Sequence, residues 1–85
     1  MIRPGRRALG QLRLVVDAAR EDVAECRQFD YTDRQRLVRA QRHLLAALET
    51  YVRALEAAGL EPHTQLRGEV ELLRGVTDAF RKRSS

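Results

Sequence analysis

One stretch of the sequence, residues 32–62, constrains the fold more than any other because it carries signals for both ends of a long helix. At its start, Thr32 and Gln35 have the spacing of a capping box. In that motif the Thr hydroxyl accepts the amide proton of Gln35, and the Gln side chain reaches back to the cap. This pair predicts where the helix begins.

The other end of the same stretch has the spacing of a Schellman motif. Gly59 is expected in the left-handed conformation, with Leu60 folding back on Leu55, and Pro62 prevents the helix from resuming. The two ends together predict a central helix over about 32–58, roughly 40 Å long at 1.5 Å per residue.

Two flanking helices are predicted from apolar residues spaced three and four apart. Helix 1 covers about 8–28, and its apolar seam consists of Leu9, Leu12, Val16, Ala19, Val23 and Cys26. Helix 3 covers about 62–81 with Pro62 in its first turn, and its stripe consists of Leu66, Val70, Leu73, Val76 or Thr77, and Phe80. The connection at 29–31 is so short that helices 1 and 2 must run antiparallel.

The apolar residues of helix 2 cover about half of its circumference, which is more than one neighbouring helix needs. We therefore expect an all-α protein, an up-down-up three-helix bundle with a long central helix. It forms one domain over residues 1–85, with flexible basic tails at 1–7 and 82–85. A homodimer is the alternative assembly, because a long helix 2 could project beyond its neighbours.

Length and composition exclude several classes of protein. A chain of 85 residues buries only about 60–65% of its unfolded surface, so its stability is modest unless a partner adds to the core. No run of 18 apolar residues is present to span a membrane. The first residues lack a signal-peptide core, and a single Cys26 fits a reducing compartment. We therefore expect a cytoplasmic protein.

The residues that usually carry chemistry are scarce. Cys26, His43 and His63 are the only soft metal ligands, and none lies at a chelating distance from another in the sequence. Helix 2 has no Glu-x-x-His motif, and the chain has no glycine-rich phosphate loop. We expect no metal, no cofactor and no enzymatic activity.

Four arginines, Arg34, Arg36, Arg39 and Arg42, stand in the first turns of helix 2. Helix 1 supplies acids at 17, 21, 22 and 25, and an antiparallel turn would bring these near the arginines. Internal charge complementarity is thus the main interpretation. Arg39, Arg42 and the later Arg53 point more directly outward, so they are the candidates for binding an external anion such as a nucleic-acid backbone. No aromatic residues are interleaved with them for base stacking.

Helix 3 has two sides that the core does not need. Arg67, Glu71, Arg74 and Asp78 form a ladder of opposite charges that is expected to pair internally and face water. The other side is a strip of small residues around one large one, consisting of Gly68, Leu72, Gly75 and Ala79. We name these four residues the α3 strip. It is either a docking groove, a packing site for another helix of this chain, or a place where glycine is tolerated.

Leu14 lies opposite the seam of helix 1 and, with the strip, favours association. The sequence thus predicts a non-enzymatic protein-protein interaction module, an adaptor, small regulator or structural subunit. It would associate with itself as a homodimer or with another helical protein. The alternative is a nucleic-acid-associated regulator that uses the outward arginines of helix 2 and the basic tails.

Overall fold

The computed structural model describes residues 5–29 and 34–83, which form three helices: α1 (Arg6–Phe29), α2 (Arg34–Ala57) and α3 (Thr64–Arg83). No strand occurs in this part of the chain. The all-α three-helix fold is confirmed. The capping-box pair cannot be compared, since Thr32 lies outside the described residues.

The end of α2 is the Schellman motif that the sequence predicts. Gly59 has a φ of 78°. The Leu60 amide donates to the Leu55 carbonyl at 2.9 Å, and the Gly59 amide donates to the Glu56 carbonyl at 3.0 Å. Leu60 nevertheless remains 51% exposed. Both backbone hydrogen bonds of the Schellman motif are therefore formed. The Leu60 side chain, which was expected to fold back on Leu55, stays about half in solvent.

The helix starts differ from the prediction. The Gly5 carbonyl accepts the Leu9 amide at 3.1 Å, so α1 already begins at Arg6 and includes Arg7, both assigned above to a tail. The Arg67 amide donates to the His63 carbonyl at 3.2 Å, which makes His63 the capping residue of α3 and leaves buried Pro62 just outside the helix.

The length of the central helix also needs correction. Helix α2 has 24 residues, the same as α1, while α3 has 20. The backbone of α3 continues to Arg83, so residues 82 and 83 belong to the helix rather than to the predicted tail. Projection of α2 beyond both neighbours is therefore no longer an argument for a homodimer.

Helix α2 is central because it packs against both α1 and α3. Within the described residues, no Cα atom of α1 lies within 8 Å of one in α3. The wide apolar arc of α2 has two neighbours inside this chain, as its width predicted. The buried cluster consists of Val16, Ala19, Val23, Leu44, Leu48, Val70 and Leu73.

The molecule is elongated, with extents of 42 × 25 × 21 Å and a radius of gyration of 14.2 Å. A compact domain of this length would have a radius of gyration of about 12 Å. The accessible surface is 6829 Å² for a mass of 9.7 kDa, whereas a typical monomer of that mass exposes roughly 5,100 Å². The three helices therefore cover less of one another than a compact domain does.

Candidate interaction surfaces

Two ion pairs hold α3 against its neighbours, one on each flank. Arg20 of α1 donates from Nη2 to Glu69 Oε1 at 2.7 Å and from Nε to Glu69 Oε2 at 3.0 Å. Its Nη1 also lies 3.4 Å from Asp17 Oδ1. On the other flank, Arg74 Nη2 donates to Glu49 Oε2 of α2 at 3.0 Å. These contacts show which sides of α3 face α1 and α2.

The pKa of Arg20 is raised, chiefly by its hydrogen bond to Glu69; burial opposes this, and the negative charges of Glu69 and Asp17 add to the rise. A guanidinium group is already charged at every physiological pH. Arg20 therefore carries its charge at any pH at which the protein is studied. Its pair with Glu69 joins α1 to α3, although half-exposed pairs of this kind stabilise a fold only weakly.

The predicted ladder on α3 does not pair within itself. Arg74 reaches Glu49 on α2 instead, and no ion pair joins two members of the ladder in the described part of the chain. The reason is geometric: the ladder borders α2, so Arg74 finds a carboxylate across the helix interface. This side of α3 is therefore structural rather than inert.

The α3 strip occupies the remaining side of the helix. Gly68 and Gly75 lie roughly 100–120° around the helix axis from both Glu69 and Arg74, so the strip points away from both neighbours. Leu72 is 70% exposed, and Gly68, Gly75 and Ala79 are also exposed. A Cβ added at either glycine would meet no heavy atom within 4 Å. None of the three described helices therefore packs on the strip.

Leu14 does not join the strip. It is 68% exposed, but it precedes Arg20 by six residues, whereas Leu72 follows Glu69 by three. Since Arg20 and Glu69 are in contact and α1 and α3 run parallel, the two leucines are about 13 Å apart along the helix axes. They belong to two different surfaces.

A second surface lies on the outer side of the α1–α2 hairpin, and its residues were not among the sites predicted from the sequence. Val15 and Ala18 are roughly 140–160° around α1 from Arg20, and Ala47 and Ala54 are similarly far around α2 from Glu49. They therefore point away from α3. Val15 is 47% exposed, Ala18 is exposed, and the two alanines of α2 are partly buried. We name these four residues the hairpin face. Leu14 is not part of it, because it is about 180° around α1 from buried Val23 and points away from α2.

One end of the hairpin face is charged. Asp22 and Glu25 follow Ala18 on α1, and Arg39 and His43 precede Ala47 on α2; all four are exposed. Glu25 lies four residues before the end of α1 and Arg39 five residues after the start of α2, so they stand at the same level of the hairpin. An acidic row and a basic row thus run side by side.

The outward arginines of α2 lie where the sequence predicts them. Arg39, Arg42 and Arg53 are all exposed, and Arg53 Nε donates to the Glu49 carbonyl at 3.4 Å. Among the described residues, Asp22, Glu25, Arg39 and Arg42 form no ion pair, so the expected pairing of Arg39 with helix 1 is absent. All four side chains are exposed to solvent.

Two of the surface grooves that border α3 have charged linings. One of about 520 Å³ runs between α2 and α3, and its charged lining balances three acids against three arginines, at 49, 56, 71, 53, 67 and 74. The other, of about 400 Å³, lies at the end near His63 and includes Arg13, Arg20 and Glu69. Because Arg20 is already committed to Glu69, neither groove offers a set of like charges for a charged small molecule.

The structure adds two observations on other classes of site. Over 5–29 and 34–83, no group of three His, Cys, Asp or Glu side chains is placed to hold a metal ion. None of the described helices has the length and apolar character required to cross a bilayer.

No protein-family model matches this chain, and neither a curated protein nor a solved structure matches it.

Proposed function

We propose that this protein is a non-enzymatic interaction module that docks a helix of another protein on the α3 strip. The observation that carries the proposal is the exposure of Leu72, at 70%, on the one side of α3 that no helix of the chain covers. A buried leucine side chain stabilises an interface by about 1.5–3 kcal/mol, whereas an exposed one contributes nothing.

The neighbours of Leu72 suit a helical partner. Small residues at 68, 75 and 79 allow another backbone to approach closely, as small residues do at other close helix contacts. Leu72 would insert between two turns of the partner helix. The partner is thus expected to present an apolar stripe, and not a charged segment, to the strip.

The chain remains a candidate for a cytoplasmic adaptor, small regulator or structural subunit. Cys26 is buried and free, which suits a reducing compartment. Its place beside the core cluster gives it the role of a small apolar side chain.

The experiment compares what the protein retains from extracts of its native host. Wild type, L72E and L14E are used as tagged proteins after circular dichroism has shown equal helicity. Leu14 is the matched control because it is equally exposed on a different surface. We expect L72E alone to lose a specific protein that wild type and L14E retain. Retention of the same proteins by all three variants would contradict docking on the strip.

A second candidate function, binding to a nucleic-acid backbone, is favoured by one observation. Arg39, Arg42 and Arg53 are exposed along α2 over roughly 21 Å. Against it, Glu25 and Asp22 lie beside Arg39 on the same hairpin and would repel phosphates. Fluorescence anisotropy with mixed DNA and RNA at about 50 mM and 200 mM salt tests it, because phosphate binding weakens steeply with salt. Absence of binding at the lower salt would end this candidate.

A further inference from the structure

The hairpin face has a charge pattern that is complementary to itself. On this face α1 presents the exposed acids Asp22 and Glu25, and α2 presents the exposed Arg39, with no acid among residues 34–48. The acidic and basic rows stand at the same level, side by side. A two-fold axis parallel to the helices exchanges the two rows, so that each acidic row faces the basic row of a second copy.

The apolar part of the face follows the same symmetry. Val15 and Ala18 of one copy would meet Ala47 and Ala54 of the other. Val15 is a large apolar side chain that the chain leaves in solvent on this side, at 47% exposure. The alanines of α2 are small enough to receive it.

We propose that a second copy of this chain docks on the hairpin face, with α1 of each copy packed antiparallel against α2 of the other. This rests on the proposed function in that it names a partner for the same interaction module, but it uses a different surface. The paired hairpins form a four-helix core, and each α3 remains on the outside.

Sedimentation equilibrium from micromolar to millimolar concentration is the first measurement. We expect a dimer, and A18E is expected to abolish it at unchanged helicity because it places a charge in the apolar part of the face. L72E is the matched control and is expected to leave the dimer intact. A monomer at every concentration would overturn the proposal, and so would a dimer that A18E leaves intact or that L72E disrupts.

A charge exchange then tests the register. E25R or R39E alone should weaken the dimer roughly tenfold or more, because like charges then face each other at two symmetric positions. An equimolar mixture of E25R with R39E should restore the association, since each basic row again faces an acidic one. Failure of the mixture to associate would refute the reciprocal arrangement. Contacts within one chain cannot be restored by mixing.

These outcomes are separate from those of the proposed function. Docking of another protein on the α3 strip is lost in L72E and retained in L14E, whereas the dimer is retained in L72E and lost in A18E. One proposal can therefore fail while the other stands.

Discussion

Replacing the two glycines of the α3 strip with alanine tests whether the strip is a docking surface or only a place where glycine is tolerated. Glycine in the interior of an exposed helix is destabilising by about 0.5–1 kcal/mol relative to alanine. A Cβ at Gly68 or Gly75 meets nothing within 4 Å, so no steric cost offsets that gain. The double variant G68A/G75A should therefore be more stable by roughly 1–2 kcal/mol, since the two sites share no contacts.

The assay is thermal and urea unfolding followed by circular dichroism. For a domain of this length, 1–2 kcal/mol raises Tm by roughly 4–16 °C. Gly59→Ala is the control with the opposite sign, because φ at Gly59 is 78° and a left-handed alanine costs about 1–2 kcal/mol. If G68A/G75A were neutral or destabilised while G59A lost stability, something would be packing on the strip in the isolated chain, and the reasoning would be refuted.

The same double variant has a second readout. Added methyl groups hold a docked backbone away, so partner binding through the strip should weaken while the fold becomes more stable. Glycines that are merely tolerated would give the gain in stability without any loss of binding. Stability and binding therefore have to be measured on the same preparation.

Two further predictions concern the core. Gln41 is only 5% exposed and its Oε1 accepts no hydrogen bond, so Q41M should stabilise the fold by about 1–2 kcal/mol in urea unfolding, whereas Q11M at an exposed site should change it by less than about 0.5 kcal/mol. A clear loss in Q41M would show that the amide has a partner in solution. Leu48 is fully buried, so L48A should cost about 2–5 kcal/mol by the same assay, while L72A should stay within about 0.5 kcal/mol; equal losses would contradict the assignment of the core.

Local signals in the sequence were sufficient to predict that the three helices exist and where α2 ends. The stop at Gly59 could be predicted because a Schellman motif depends on a few consecutive residues. The two neighbours of α2 could be predicted because the width of an apolar arc is a property of one helix. The start of α3 was predicted two residues too early, at Pro62, since either side of a helix start suits a proline, and only the bond from Arg67 to His63 decides between them.

The charged contacts could not be predicted, because they depend on how whole helices are rotated and shifted relative to one another. A helical wheel places Glu69 at the edge of α3, yet it does not indicate that Arg20, 49 residues away, stands opposite. The same limit applies to Arg74, which appeared to belong to a ladder on its own helix. Val15 could have been noticed, since it lies just beyond the seam of α1 beside an exposed leucine.

The ion pairs on both flanks of α3 also indicate how the two proposed surfaces lie relative to each other. Glu69 and Arg74 mark the sides of α3 that face α1 and α2, so the α3 strip points away from the hairpin. The hairpin face points in the opposite direction, away from α3. A second copy on the hairpin face would therefore cover neither strip, and the proposed dimer would present two strips on opposite sides. Two such sites in one assembly would suit a protein that joins helical partners rather than one that encloses a substrate.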